Sequence, residues 1–143
     1  MNKIRGFEIV ESKFKKNVEN NIILPTRGSK NSAGYDFYTP IDITIEPHQQ
    51  ILVWSDIKAY MQEDEVLIID VRSSIGIKKG LMIANTLGII DSDYYNNSNN
   101  DGNIGLTLRN LTDKPVIINT GERVAQGIFI KYLVADNGNT DIE

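Results

Sequence analysis

The sequence has no cysteine and only one histidine, His48, among its 143 residues. Disulfides, thiolate nucleophiles, cysteine zinc sites and imidazole-based triads or metal centres are therefore excluded together. Long apolar runs are also lacking. Nothing approaches the roughly 20 residues of a membrane helix, and the opening MNKIRGFEIVESKFKK has no signal-peptide core. Positive charge is scarce and dispersed, 15 Lys and Arg against 19 Asp and Glu, so no basic block marks a surface for a nucleic-acid backbone. The expectation is a soluble, cytoplasmic protein with neither a membrane nor a nucleic-acid partner.

What the chain does have is a series of short apolar runs rich in β-branched residues, such as Val66–Ile69, Leu81–Ala84, Ile104–Leu108, Val116–Ile118 and Gln126–Ile130. Turn residues separate them at Pro40, Glu46-Pro47-His48, Asp113-Lys114-Pro115 and Thr120-Gly121. This pattern predicts an all-β sandwich or barrel, and the length suits one domain. Only Ser73–Gly80 carries helix signals, with Ser73 or Ser74 as cap and Gly80 as terminator. The domain is expected over residues 1–134, with a polar, mobile tail over 135–143. Trp54 is expected in the core.

Three stretches could carry chemistry. In Val71-Arg72-Ser73-Ser74 a guanidinium, two hydroxyls and the free N–H groups of a helix start would converge, which suits a phosphate. Taken alone, the plainer reading, a serine cap with Arg72 in solvent, is the stronger. Leu81–Ile90 reads as two short strands about a turn at Asn85-Thr86. The Asn85 side chain offers the donor and acceptors needed to read a nucleobase edge, although asparagine also suits turns for purely geometric reasons. The third stretch, Asp91-Ser92-Asp93 and the asparagines after it, opens like a calcium loop of the EF-hand type. Counting from Asp91, however, the sixth position is Asn96 and the twelfth is Gly102, where that loop requires glycine and glutamate, so calcium is excluded.

In combination these stretches resemble the trimeric, all-β dUTPase (deoxyuridine triphosphate nucleotidohydrolase) family. Of the family's five ordered motifs, four are present: Ala33-Gly34-Tyr35-Asp36-Phe37, Arg72-Ser73-Ser74, the segment from Asn85 through Gly88-Ile89-Ile90-Asp91-Ser92-Asp93-Tyr94, and Gly121-Glu122-Arg123-Val124-Ala125-Gln126. The resemblance implies a distorted jelly roll or β-barrel (the dUTPase-like β-clip) with one short helix, forming a homotrimer whose active sites borrow residues from neighbouring subunits. It implies hydrolysis of dUTP to dUMP and pyrophosphate, with Asp91 deprotonating the water that attacks the α-phosphorus. Arg72, Ser73 and Ser74 would bind the phosphates, Gln126 would donate to the phosphates or to the attacking water, and Asn85 with the backbone of Gly88, Ile89 and Ile90 would read uracil. Tyr94 would lie against the deoxyribose and exclude a 2′-hydroxyl. Mg²⁺ would be held by substrate phosphates and waters rather than directly by protein, with Asp36 beside its water shell. Arg123 would serve a salt bridge within or between subunits.

The sequence departs from the family pattern in several places. The Gly-rich fifth motif is absent from these 143 residues, which end about where it would begin; if the polypeptide ends there, slow turnover is expected from loss of the closing segment. Asn96 stands where glycine is usual, and the extra length at Asn97–Asn103 reads as a longer turn into the strand at Ile104. Deamination of dCTP, a chemistry found on the same fold, is disfavoured because Ser92-Asp93-Tyr94 follows the Ile-Asp pair. The alternative is a dUTP-dependent binding or regulatory protein, weakly catalytic, with Asn96–Gly102 as its contact surface.

Overall fold

The computed structural model describes residues 3–18 and 22–138. Within them the chain forms strands β1 (Gly6–Ile9), β2 (Thr26–Arg27), β3 (Tyr35–Tyr38), β4 (Ile43–Ile45), β5 (Gln50–Trp54) and β6 (Ile57–Tyr60). They are followed by β7 (Glu65–Val71), β8 (Leu81–Ile83), β9 (Gly88–Asp91), β10 (Gly105–Asn110), β11 (Val116–Ile118) and β12 (Arg123–Lys131). The fold is all-β and jelly-roll-like, as the alternating pattern predicts. Of the tail expected to be mobile, only Ala135–Gly138 falls within the described residues. Among the described residues no helix is long and apolar enough to cross a membrane.

Alternation explains which way each strand faces. In the β4–β11 pair, Ile43 and Ile45 lie opposite Ile118 and Val116 and are buried with them, while Thr44 and Ile117 point outward. The largest sheet runs β2-β3-β12-β7-β9, and a three-stranded sheet runs β5-β10-β8, all antiparallel. Their inner faces enclose Phe37, Leu67, Ile69, Ile83, Leu106, Leu108 and Ala125. Phe7, Tyr35, Phe37 and Phe129 pack ring to ring, with centroids 5.4 to 6.0 Å apart, and fasten β1 to the large sheet.

Several local expectations are corrected. Leu81–Ile90 is not a simple hairpin: β8 pairs with β10 and β9 with β7, so its two arms enter different sheets. The helix is a single wide turn, Ser74–Lys78, preceded by Ser73, which makes no side-chain cap bond. Gly80 does end it, at φ +70°. Trp54 is half-buried, with the Lys16 ammonium over its ring. Asn96–Asn103 is more than a turn, since Asp101, Gly102 and Asn103 are buried while Ser98 and Asn99 stay exposed.

Candidate functional site

An anion cradle forms on the outer face of the large sheet. Cross-strand partners put Asp36, Gln126 and Asp70 side by side, and Arg72 follows two positions after Asp70. Arg123 and Gln126, three residues apart on β12, would face opposite ways in a regular strand. A bulge between Arg123 and Ala125 resets the alternation: Arg123 pairs with Tyr38 and Gln126 with Asp36, so all four side chains share one face. The cradle, about 510 Å³, is bounded by Ser29, Ser32, Gly34, Arg72, Ser73 and Gln126 among others. That volume is in the range of small-molecule sites.

Charge in the cradle is unbalanced. Asp36 is 93 % buried, its exposure being only 7 %, and its carboxylate meets Arg72 Nε at 3.1 Å and Arg123 Nη1 at 3.6 Å. Among the lining residues one carboxylate against two guanidiniums leaves net positive charge facing the cavity, with the exposed Asp70 beside Gln126 but outside the lining. Arg123 thus makes its salt bridge inside the fold. Ser74 is separated from Ser73: together with Tyr38, Ile75 and Lys79 it lines an adjoining cleft that Arg72 and Arg123 also border. Among the described residues no three His, Asp or Glu side chains cluster as a metal cage. The two guanidiniums pair with Asp36 as ions, without the geometry of a hydrogen bond, so its carboxylate oxygens keep lone pairs that can accept from a metal-bound water.

A second cavity, also about 510 Å³, opens where β8 and β9 part into their separate sheets. Asn85 lies at its rim beside Thr86, whose φ is +74°, with Ala84, Gly88, Ile89 and Ile90 along one side and Thr107 on the other. Gly88 is needed for close approach, because a Cβ there would lie 3.3 Å from that of Ile69. Asp91 ends β9, exposed, and among the described residues no donor pairs with its carboxylate. Tyr94 follows within a 3-10 turn, Ser92–Tyr94, its ring against the core. Its hydroxyl donates to the Asn103 carbonyl at 2.5 Å and accepts from Asn100 Nδ2 at 2.8 Å.

Asp91 lies far from Arg72 and Asp36 within one chain. Asp91 sits opposite Val66, near the start of β7, whereas Arg72 lies six positions past Val66, beyond the strand's end. At about 3.3 Å per residue that separation is about 20 Å. Asp36 gives the same figure: three strand spacings and four residue steps from Asp91 amount to about 20 Å. Between them the outer face carries an apolar cross-strand row, Ile128, Ile68 and Ile89, of which Ile89 is 62 % exposed.

Reading along the sequence missed Gly28, Ser29 and Ser32 in the cradle, and Gln50 and Thr107 in the slot. A weak signal existed for the first group, the Arg27-Gly28-Ser29-Lys30 run of small and basic residues. No local signal marks Gln50 or Thr107, which reach the slot only through β5–β10 pairing.

The family model described as dUTPase matches residues 20–141. A deoxyuridine 5′-triphosphate nucleotidohydrolase of Lactococcus lactis is 46 % identical over 134 residues, covering 94 % of this chain and 87 % of that protein. The crystal structure of a dUTPase from Streptococcus mutans superposes with a TM-score of 0.80 at 42 % identity, over 92 % of this chain and 99 % of that one. A mutant dUTPase from phage phi11 of S. aureus, described as revealing coordination of a structural Mg(II) ion, shares the fold: TM-score 0.77, 18 % identity, 99 % of each chain.

Proposed function

The chain belongs to the dUTPase family, and from that premise we propose how its two half-sites hydrolyse dUTP. The enzyme is a dUTP diphosphatase, releasing dUMP and pyrophosphate. The observation that carries the residue assignment is Asp91, a carboxylate without a partner among the described residues, directly after Ile90 at the edge of the slot. Uracil occupies the slot, with Asn85 and the backbone of Gly88, Ile89 and Ile90 reading O4 and N3–H. Cytosine reverses that donor and acceptor pattern, and unpaired buried polar groups discriminate more strongly than a missing methylene does. Asp91 orients a water toward the α-phosphorus and takes its proton as the P–O bond forms. The bond to the bridging oxygen breaks, and pyrophosphate leaves. Tyr94 lies against the deoxyribose.

Arg72, Ser73 and Gln126 bind the triphosphate in the cradle, and Ser74 approaches it from the adjoining cleft. Mg²⁺ would be held by the phosphates and water, with Asp36 accepting from one of those waters; when bound, it neutralises charge on the phosphates. A base must lie within hydrogen-bond reach of its proton, directly or through one water. With about 20 Å of strand between Asp91 and Arg72 in one chain, a base in reach of the water at the α-phosphorus and the cradle's grip on the triphosphate are met more readily by two chains. Each site is accordingly shared between copies, the slot of one subunit facing the cradle of another. Repeated head to tail about a threefold axis, such a contact is heterologous and closes as a ring. We assign a homotrimer, with the Ile128–Ile68–Ile89 row covered by a neighbouring subunit. Residues 1–134 act as one domain.

Pyrophosphate release from dUTP, with dCTP and UTP as controls, tests the activity and its selectivity. Asp91→Asn is expected to lower kcat by about 10²–10⁴-fold, the usual contribution of a positioned base. Unchanged turnover in that variant removes Asp91 from the role.

A further inference from the structure

We infer that Asn100 is a positioning residue for Tyr94, and that the asparagine loop 96–103 thereby sets the discrimination between deoxyribose and ribose. The inference rests on the placement of Tyr94 at the sugar proposed above. A side chain that excludes a 2′-hydroxyl by bulk works only if it cannot swing aside. One face of the Tyr94 ring is held by the core, and the other constraint on it is at the hydroxyl. That hydroxyl has a single proton, which goes to the Asn103 carbonyl at 2.5 Å, while Asn100 Nδ2 donates to it at 2.8 Å. The phenol is thus committed on both sides to the loop, and the ring is pinned at its tip.

The clamp is itself rigid. Asn100 Oδ1 accepts from the Gly102 N–H at 3.0 Å and from Asn97 Nδ2 at 2.8 Å. Asn97 Oδ1 accepts from the N–H groups of Asn99 and Asn100, and its Nδ2 also donates to the Tyr94 carbonyl at 2.7 Å. The Asn103 side chain is buried and bonded to Asp56 through both amide atoms, at 2.9 and 2.8 Å. Only glycine fits at 102: φ is +90°, and a Cβ would lie 2.9 Å from the Tyr94 carbonyl oxygen. Asn100 must be an amide because it accepts and donates from one short side chain. Aspartate would keep the acceptor and lose the donor, setting a carboxylate against a hydroxyl whose proton is already given to Asn103.

The test is kcat/KM for dUTP and for UTP, with melting temperature, in wild type, Asn100→Asp, Asn100→Ala, Tyr94→Phe and Tyr94→Ala. Both Asn100 variants are expected to lower the dUTP-to-UTP ratio about five- to tenfold, the size of one net hydrogen bond. Adding Asn100→Ala to Tyr94→Phe is expected to lower the ratio no further, because the hydroxyl it holds is gone. A merely structural Asn100 would lower the melting temperature and reduce both substrates in proportion; an unchanged ratio overturns the proposal. If Asn100→Ala fails to fold, Asn100→Asp decides, since it retains the acceptor for Gly102 and Asn97. Tyr94→Ala separates the two levels. A collapsed ratio there, with intact ratios in the Asn100 variants, refutes the clamp alone, whereas an unchanged ratio in Tyr94→Ala refutes the placement of Tyr94 and the clamp with it.

Discussion

Two variants that are each inactive in isolation should restore activity when mixed. Arg72→Ala damages the cradle and leaves the slot and Asp91 intact; Asp91→Asn does the reverse. In the proposed trimer a working site takes its cradle from one subunit and its base from the next, since Arg72 and Asp91 are about 20 Å apart along the sheet of one chain. In a ring assembled at random from equal amounts, an intact cradle occupies the first position half the time and an intact base the second position half the time. About a quarter of all sites are then whole, and since each mixed trimer holds one whole site in three, the purified mixed trimers should recover about a third of wild-type kcat. The assay is pyrophosphate release after the two variants, carrying different tags, are denatured together and refolded, with tandem purification on both tags to prove mixing. Recovery no greater than the sum of the two parents, in oligomers shown to be mixed, would refute the shared site and place both halves within one chain.

Two further outcomes follow from named contacts. A Cβ at Gly34 would lie 2.6 Å from Gln126 Oε1, the far end of a flexible side chain. Gly34→Ala should therefore displace Gln126 at little cost in melting temperature and raise KM for dUTP about fivefold, the worth of one net hydrogen bond; an unchanged KM would remove Gln126 from the phosphate site. Glu65 is buried on β7, and the hydrogen bond from Arg5, with Nη2 to Oε2 at 2.6 Å, is the main cause that lowers its carboxyl from 4.5 to about 2. A depressed carboxylate stabilises the fold fully above the unfolded value, and that contribution is lost as pH falls through the folded one. Stability should therefore decline between about pH 4.5 and about pH 2, and Arg5→Ala should flatten that decline while lowering stability at neutral pH. Equal slopes in urea titrations of the two proteins across that window would contradict the assignment.

The sequence made some elements legible and concealed others for identifiable reasons. Half-buried strands announce themselves by alternation, which is why β4 and β10 stand out. β6 does not, because Lys58 looks like a surface residue. Its burial is matched by Asp101, 43 positions away, and Asn96, which accept from its ammonium at 2.9 and 2.6 Å. β2 is two residues long and carries no period at all. The turn at Asn85 was visible, but that its two arms enter different sheets was not, since each arm's partner lies elsewhere in the chain. The asparagine run reads as a solvated turn because its partners beyond itself, Tyr94, Lys58 and Asp56, are ones that composition does not reveal.

By itself the sequence determined the kind of chemistry available. It had no thiol and one imidazole, an all-β pattern, and ordered motifs specific enough to identify the family, because residue types and their spacing are local properties of the chain. Tertiary structure decided how those residues meet. The β12 bulge brings Arg123 and Gln126 onto one face, the strand register holds Asp91 about 20 Å from Arg72, and the inward fold of residues 96–103 grips the Tyr94 hydroxyl. Each depends on pairing between residues remote in sequence, and a shift of a single residue in register would reverse which side chains share a face.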